Sequence, residues 1–395
     1  MAEKRTVTTL AEYPKILGSD PAVSASRMGD LVNTTGILGV DPRTGQLGSG
    51  PEEQFDLAYQ NMTALLQKAG LTLDEAGLVT VFIPGPDYRQ YINKGWTATF
   101  PDENNRPARK TNHVNLPEGA FVQLQVAAVA GGRRERLEVQ GLAHRDPIPN
   151  GVKIGNMVYS SVIVPQDLST AETVKGEVPQ IQQCYDNTKV FMGKAGATLD
   201  DVLHMWVFMS DFKYQPDMVD LWVKAWPNDG DRPSRKTLRY PMGGLIQVQA
   251  TGVIRSAGAS PAGAGAGRTN YEIPGVGHHD PIPMGAKVGN VFMSSGISGV
   301  EPDLPNGRHI EAVKDLDGQI KWAQHGVEAL LKEAGGGLDN VALLTVLIQD
   351  FNVIPVVDRA WKDLYGGDAN RPPLKFIDWR IPGTSHVQYH VTGVF

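Results

Sequence analysis

Apolar and polar residues follow one order three times along the chain. FVQLQVAAV from Phe121, LIQVQATGV from Leu245 and HVQYHVTGV from His386 alternate with a period of two, which predicts a strand with one buried face. Upstream, GDLVNTTG at 29–36, GNMVYSSV at 155–162 and GNVFMSSG at 289–296 read as a first strand. A polar hairpin region and a helix come next, the helix stopping at KAGLTLD (68–74), KAGATLD (194–200) and EAGGGLD (333–339). Glycine just past the last turn is a helix stop, because it adopts the left-handed conformation without Cβ strain. A buried strand (78–83, 205–209, 343–348) and a second helix (88–96, 218–226, 356–364) complete each pattern.

The order β-hairpin, α, β, α, β predicts an α+β domain, a sheet with two helices on one face, present in three copies. The turn phrase before the last strand recurs as NRPARKT (105–111), DRPSRKT (231–237) and NRPPLKF (370–376). Arg109 and Arg235 hold the same slot in copies one and two, and Leu374 holds it in copy three. SAGASPAGAGAGR, ending at Arg268, is the one low-complexity stretch and reads as a flexible linker. Units of 1–134, 135–256 and 269–395 follow, with 257–268 as the linker. Three equal units in one chain predict a ring with pseudo-threefold symmetry.

Composition narrows the class. The chain has 395 residues and a net charge of −6, with 37 basic against 43 acidic side chains, so it lacks the basic footprint of a nucleic-acid binder. A single cysteine, Cys184, excludes an intrachain disulfide and a cysteine-based zinc site. No run of about 18 apolar residues is present to span a membrane, and MAEKRTVTTLAEYPK lacks the apolar core of a secretory signal. A cytoplasmic protein without cofactor or metal is expected, since no phosphate cradle or cofactor fingerprint occurs.

At this level the chain resembles the Rid/YjgF family of reactive-intermediate deaminases. The resemblance rests on the Ser/Thr-Gly strand ends, Glu52–Gln54 opening the first helix, NMTALLQKAGLTLDE, the Pro-x-Arg turns, and Leu116, Pro117 and Gly119 before the last strand of copy one. It implies a Rid-like (chorismate-mutase-like) fold, a trimer fused into one polypeptide, and pockets between units. It also implies that Arg109 and Arg235 clamp a substrate carboxylate, a task suited to the planar guanidinium. Several positions depart from the family pattern. Gln123, Gln247 and Gln388 stand where a carboxyl group would position the attacking water, Thr111 and Thr237 replace a cysteine, and Ile148 and Ile282 fall near the slot of a tyrosine. Glutamine can orient water but cannot take its proton.

Copies two and three share a further motif, His144-Arg145-Asp146-Pro147 and His278-His279-Asp280-Pro281. On an extended, proline-stiffened segment His and Asp project to the same side, as a base and its orienting partner would. The competing reading is a duplicated turn in which Asp caps backbone donors. Losses fall together if each pocket joins the Arg turn of one copy to the amino-terminal segment of the next. Pocket 1/2 then has Arg109, His144 and Asp146, pocket 2/3 has Arg235, His278 and Asp280, and pocket 3/1 has neither set. Ser295-Gly296 keeps the family pair where copy two has Ser161-Val162, which favours pocket 2/3.

The expected function is hydrolysis of a C=N or C–N bond in a small carboxylate-bearing molecule. Arg235 and Arg109 bind, His278 with Asp280 and His144 with Asp146 activate water, and Gln247 and Gln123 position it. Thr237, Ser295, Gly296 and Thr111 line the pockets. Imine or enamine deamination is the version that the resemblance implies. Amide or ring-opening hydrolysis and non-catalytic metabolite binding are the alternatives. Cys184 reads as core filler, Lys110, Lys236 and Lys375 as solvated or ion-paired strand residues, and Trp96, Trp222, Trp226 and Trp361 as packing. His113 and His204 are assigned structural roles.

Overall fold

The computed structural model describes residues 4–9, 23–242, 244–255, 267–305, 307, 309–381 and 383–395. Most of the stretch read as a linker, and residues 1–3 and 10–22 of copy one, lie outside the described residues. Three six-strand paths of identical order are present. In the first, strands Thr6–Thr8, Ala25–Met28, Leu31–Thr34, Gln123–Val129, Ala76–Ile83 and Ala108–His113 lie side by side. The second runs Arg134–Leu137, Gly151–Ile154, Met157–Ser160, Ile246–Val253, Val202–Met209, Ser234–Arg239, and the third runs from Arg268–Tyr271 to Leu374–Asp378 in the same order. All neighbours along these paths are antiparallel except the last two, which are parallel and joined by the short helix, as a crossover requires.

Each sheet carries a long and a short helix, Pro51–Lys68 with Arg89–Thr99, Glu177–Lys194 with Gln215–Ala225, and Leu316–Glu333 with Ile354–Leu364. The long helices end ahead of Gly70, Gly196 and Gly335, all at positive φ. Along Val202–Met209, Met205, Val207 and Met209 enter the repeat's own core under the helices. Leu203 and Phe208 point the other way, into apolar clusters shared by all three repeats. One of these joins Phe82 and Val114, Phe208 and Tyr240, and Leu347 and Trp379. Burial on both faces accounts for the almost unbroken apolar runs in these central strands.

The repeats close head to tail. The Arg109 amide donates to Ser161 Oγ (3.0 Å), the Arg235 amide to Ser295 Oγ (3.1 Å), and Thr35 Oγ1 of repeat one donates to the Leu374 carbonyl of repeat three. An arginine on each first strand or its approach adds a second link. Arg134 Nη1 donates to the Ala76 carbonyl (2.8 Å), Arg268 Nη1 to the Val202 carbonyl (2.5 Å), and Arg5 Nε to the Asn370 carbonyl (2.9 Å). These guanidiniums are buried in the preceding repeat, where several donors meet carbonyls that would otherwise be left unpaired. Arg134 and Arg268 fall just outside the limits of 135–256 and 269–395 read for the second and third units.

Candidate functional site

A cleft of about 430 Å³, open to solvent, lies between repeats two and three. The strand Ser234–Arg239 carries Arg235 into it from repeat two, and the extended segment before Gly285 brings His278 and Asp280 from repeat three. Arg235 is 1% exposed and lies on Trp222, its Cζ 4.7 Å from the ring centroid. Its Nη2 is ion-paired with Asp280 Oδ2, and Gln215 Nε2 donates to both oxygens of that carboxylate at 3.1 and 2.9 Å. Nε and Nη1 of Arg235 have no hydrogen-bond partner among the described residues. Gly296 forms part of the wall because a Cβ at that position would overlap the Gln388 side chain.

The cleft between repeats one and two, the first in chain order and about 330 Å³, repeats the plan of the one between repeats two and three, the second. Arg109 stacks on Trp96 at 4.8 Å and pairs with Asp146 at 3.0 Å. Asp146 is shared: Arg89 Nη2 reaches it at 2.6 Å and Asn93 Nδ2 at 3.2 Å. Burial raises the Asp146 pKa, yet Arg109, Asn93 and Arg89 outweigh it and hold the carboxyl below its ordinary value. Burial pushes the His144 imidazole down to about 4, against the pull of Asp146, so the ring is neutral at pH 7. Nη1 of Arg109 has no partner among the described residues.

Each Arg therefore meets the Asp of the following repeat; Asp146 is also held by Arg89 and Asn93, and Asp280 by Gln215. Gln247 lines the cleft of Arg109, whereas Gln388 lines that of Arg235. Gln123 belongs to neither, its Nε2 donating to the Phe376 carbonyl of repeat three at 3.4 Å. Thr111 and Thr237 line the first and second cleft respectively. Ser295 sits behind the wall, fully buried, accepting from the Arg235 amide and donating to the Pro283 carbonyl at 2.7 Å. At the third junction Leu374 is buried in the core of repeat three.

The lysines depart from expectation. Lys110 and Lys375 are 3% and 7% exposed, and Lys236 is half-buried. None is ion-paired among the described residues. Lys110 Nζ donates to Gln247 Oε1 (3.2 Å), Lys236 Nζ to Gln388 Oε1, and Lys375 Nζ to Gln125 Oε1 (3.2 Å), each time across a repeat junction. Burial lowers Lys110 to about 7, Lys236 to about 8 and Lys375 to about 7. A strand edge that would face solvent in one unit is covered here by the next. The remaining candidates are structural. Cys184 is buried with its thiol pKa pushed up by burial, and His204 Nδ1 meets Ser234 Oγ at 2.8 Å with burial lowering the ring to about 3. His113 packs against Tyr240 at 5.6 Å. No described helix is long and apolar enough to cross a membrane.

Relatives share this repeat. A RutC family protein of Aquifex aeolicus is 31% identical over 110 residues, 28% of this chain and 88% of that protein. A Salmonella typhimurium protein named 2-iminobutanoate/2-iminopropanoate deaminase is 29% identical over 127 residues, covering 32% of this chain and 97% of its own. Among solved structures, a putative endoribonuclease of Thermotoga maritima is 33% identical and covers 33% of this chain and 99% of its own, with a TM-score of 0.30. A sequence model of the endoribonuclease L-PSP family matches residues 18–130 and again 142–250. With more than half of its length matched in two successive copies, the chain belongs to the endoribonuclease L-PSP family, the Rid/YjgF proteins.

Proposed function

We propose that this chain hydrolyses small carboxylate-bearing imines or enamines in the cleft between repeats two and three, the cleft between repeats one and two being a weaker counterpart. The observation that carries this reading is the Arg235 guanidinium, almost wholly buried, fixed by Trp222 and Asp280, and retaining donors at Nε and Nη1. A buried cation with spare donors beside an open cleft suits an anionic ligand. The 2-iminobutanoate/2-iminopropanoate deaminase name of a relative supports the substrate class.

The family's carboxyl group on the last strand is Gln388 in this cleft, and Asp280 supplies a carboxylate from a different segment. Water adds to the C=N carbon, its proton passes to Asp280 or His278, and the carbinolamine collapses to a carbonyl and ammonia. Gln388 orients the water. Metabolite binding without turnover is favoured by one specific feature, glutamine at 123, 247 and 388. Ammonia release from 2-imino acids generated in situ separates the two. The intact protein is expected to exceed buffer, with Arg235→Ala reduced, and equal rates for all three would remove imine deamination. His278→Ala is expected to retain binding and lose turnover, and unchanged turnover would exclude the imidazole as base.

A further inference from the structure

Lys236 is a basic group in the 2/3 cleft that the hydrolytic scheme leaves unused. It follows Arg235 on the same strand and lines the same cleft as Arg235, His278, Asp280 and Gln388. Its Nζ donates to Gln388 Oε1, and Gln388 Nε2 in turn donates to Ser298 Oγ at 2.9 Å. The amide is thereby oriented with its oxygen toward the amine, a contact that takes one N–H of the lysine. No carboxylate of the described residues is ion-paired with Lys236. A half-buried amine without a counter-ion is disfavoured as a cation, and burial lowers it to about 8. The sister lysines are placed differently. Lys110 Nζ is covered by the Phe208 and Tyr240 rings at 4.3 and 4.8 Å, and Lys375 Nζ lies 4.9 Å from the Phe82 ring centroid, in a cavity lined by strands of all three repeats.

We propose that Lys236 is a covalent nucleophile that forms a Schiff base with the carbon of a 2-imino or 2-oxo acid held in this cleft. The inference rests on that cleft being the substrate site. With an imine, the lysine nitrogen adds to the C=N carbon, and the aminal expels ammonia to leave the lysine-bound imine. Water then adds to that carbon, and the lysine departs as free amine with release of the 2-oxo acid. The sum consumes one water per ammonia and needs no oxidant or reductant. Run backwards from the 2-oxo acid, the last step forms the same lysine imine with loss of water, so the adduct is accessible without any imine substrate.

The full chain would be incubated with pyruvate and sodium cyanoborohydride, digested, and its lysine peptides quantified by mass spectrometry. The expected result is reductive alkylation of Lys236 at about tenfold or more the level at exposed Lys224, abolished in Lys236→Met, which keeps the aliphatic stem. Labelling of Lys236 no greater than that of Lys224 in the intact protein would overturn the proposal, a result that requires no variant to fold. Labelled Lys236 without ammonia release from 2-imino acids would remove the imine reading and keep the nucleophile. Ammonia release with Lys236 unlabelled would keep the imine reading and overturn the nucleophile.

Discussion

The two clefts are built from matching parts but differ in how their carboxylates are used. In each, an arginine lies over a tryptophan, meets an aspartate of the next repeat, and precedes a lysine bonded to a glutamine across the junction. Asp146 serves two guanidiniums and an amide, while Asp280 serves one guanidinium and an amide. Val162 narrows the first cleft at the position where Gly296 opens the second. Matching residue types therefore do not make equal sites. What remains available on each charged group after its neighbours are satisfied sets the chemistry.

Breaking the second cleft should cost far more than breaking the first. Arg235→Ala is expected to lower kcat/KM for 2-imino acids by on the order of 100-fold, the worth of a charge-assisted hydrogen bond, and Arg109→Ala by severalfold at most. Steady-state ammonia release checks both. Asp280→Asn leaves a buried guanidinium without its counter-ion and should destabilise the fold by about 3 kcal/mol in urea denaturation. Asp146→Asn should cost less, because Arg109 still donates to Asn93 Oδ1 at 2.9 Å.

Smaller changes sharpen the contrast. Gly296→Val pushes a branched side chain into Gln388 and is expected to raise KM about tenfold, a factor worth about 1.4 kcal/mol of binding. The converse Val162→Gly should improve turnover by the first cleft when measured in an Arg235→Ala background. The mildest effect concerns pH. His144 titrates near 4 in the fold and near 6.5 when unfolded, so the unfolded chain binds more protons between those values. Stability conferred by the neutral ring is present above about 6.5 and falls as pH drops toward 4. His144→Gln should flatten that slope in denaturation profiles. Asp146, held below its ordinary value, contributes stability that is lost only at lower pH, on passing below about 3.8.

Three repeats, their helix stops and the Arg turns were legible because each is a local pattern with a fixed period. The partnership of Arg109 with Asp146 and of Arg235 with Asp280 was legible from where the motifs are missing, since Leu374 marks a junction without the clamp. The use of each aspartate was not, because His-x-Asp spacing places two side chains on one side without saying which neighbour arrives between them. Lys110 and Lys236 looked solvated because the outer face of a strand edge is wet in a single unit, and burial there comes from the adjoining repeat. Arg134 and Arg268 stand at equal spacing before Gly155 and Gly289, a signal masked by the unit limits drawn at those positions.

The central claim is that one cleft, between repeats two and three, takes the carboxylate. Calorimetric titration of the intact chain with 2-oxobutanoate tests it most directly. The account predicts one dominant site per chain that disappears in Arg235→Ala and persists in Arg109→Ala. Two or three equal sites, or a dominant site that survives Arg235→Ala, would contradict it.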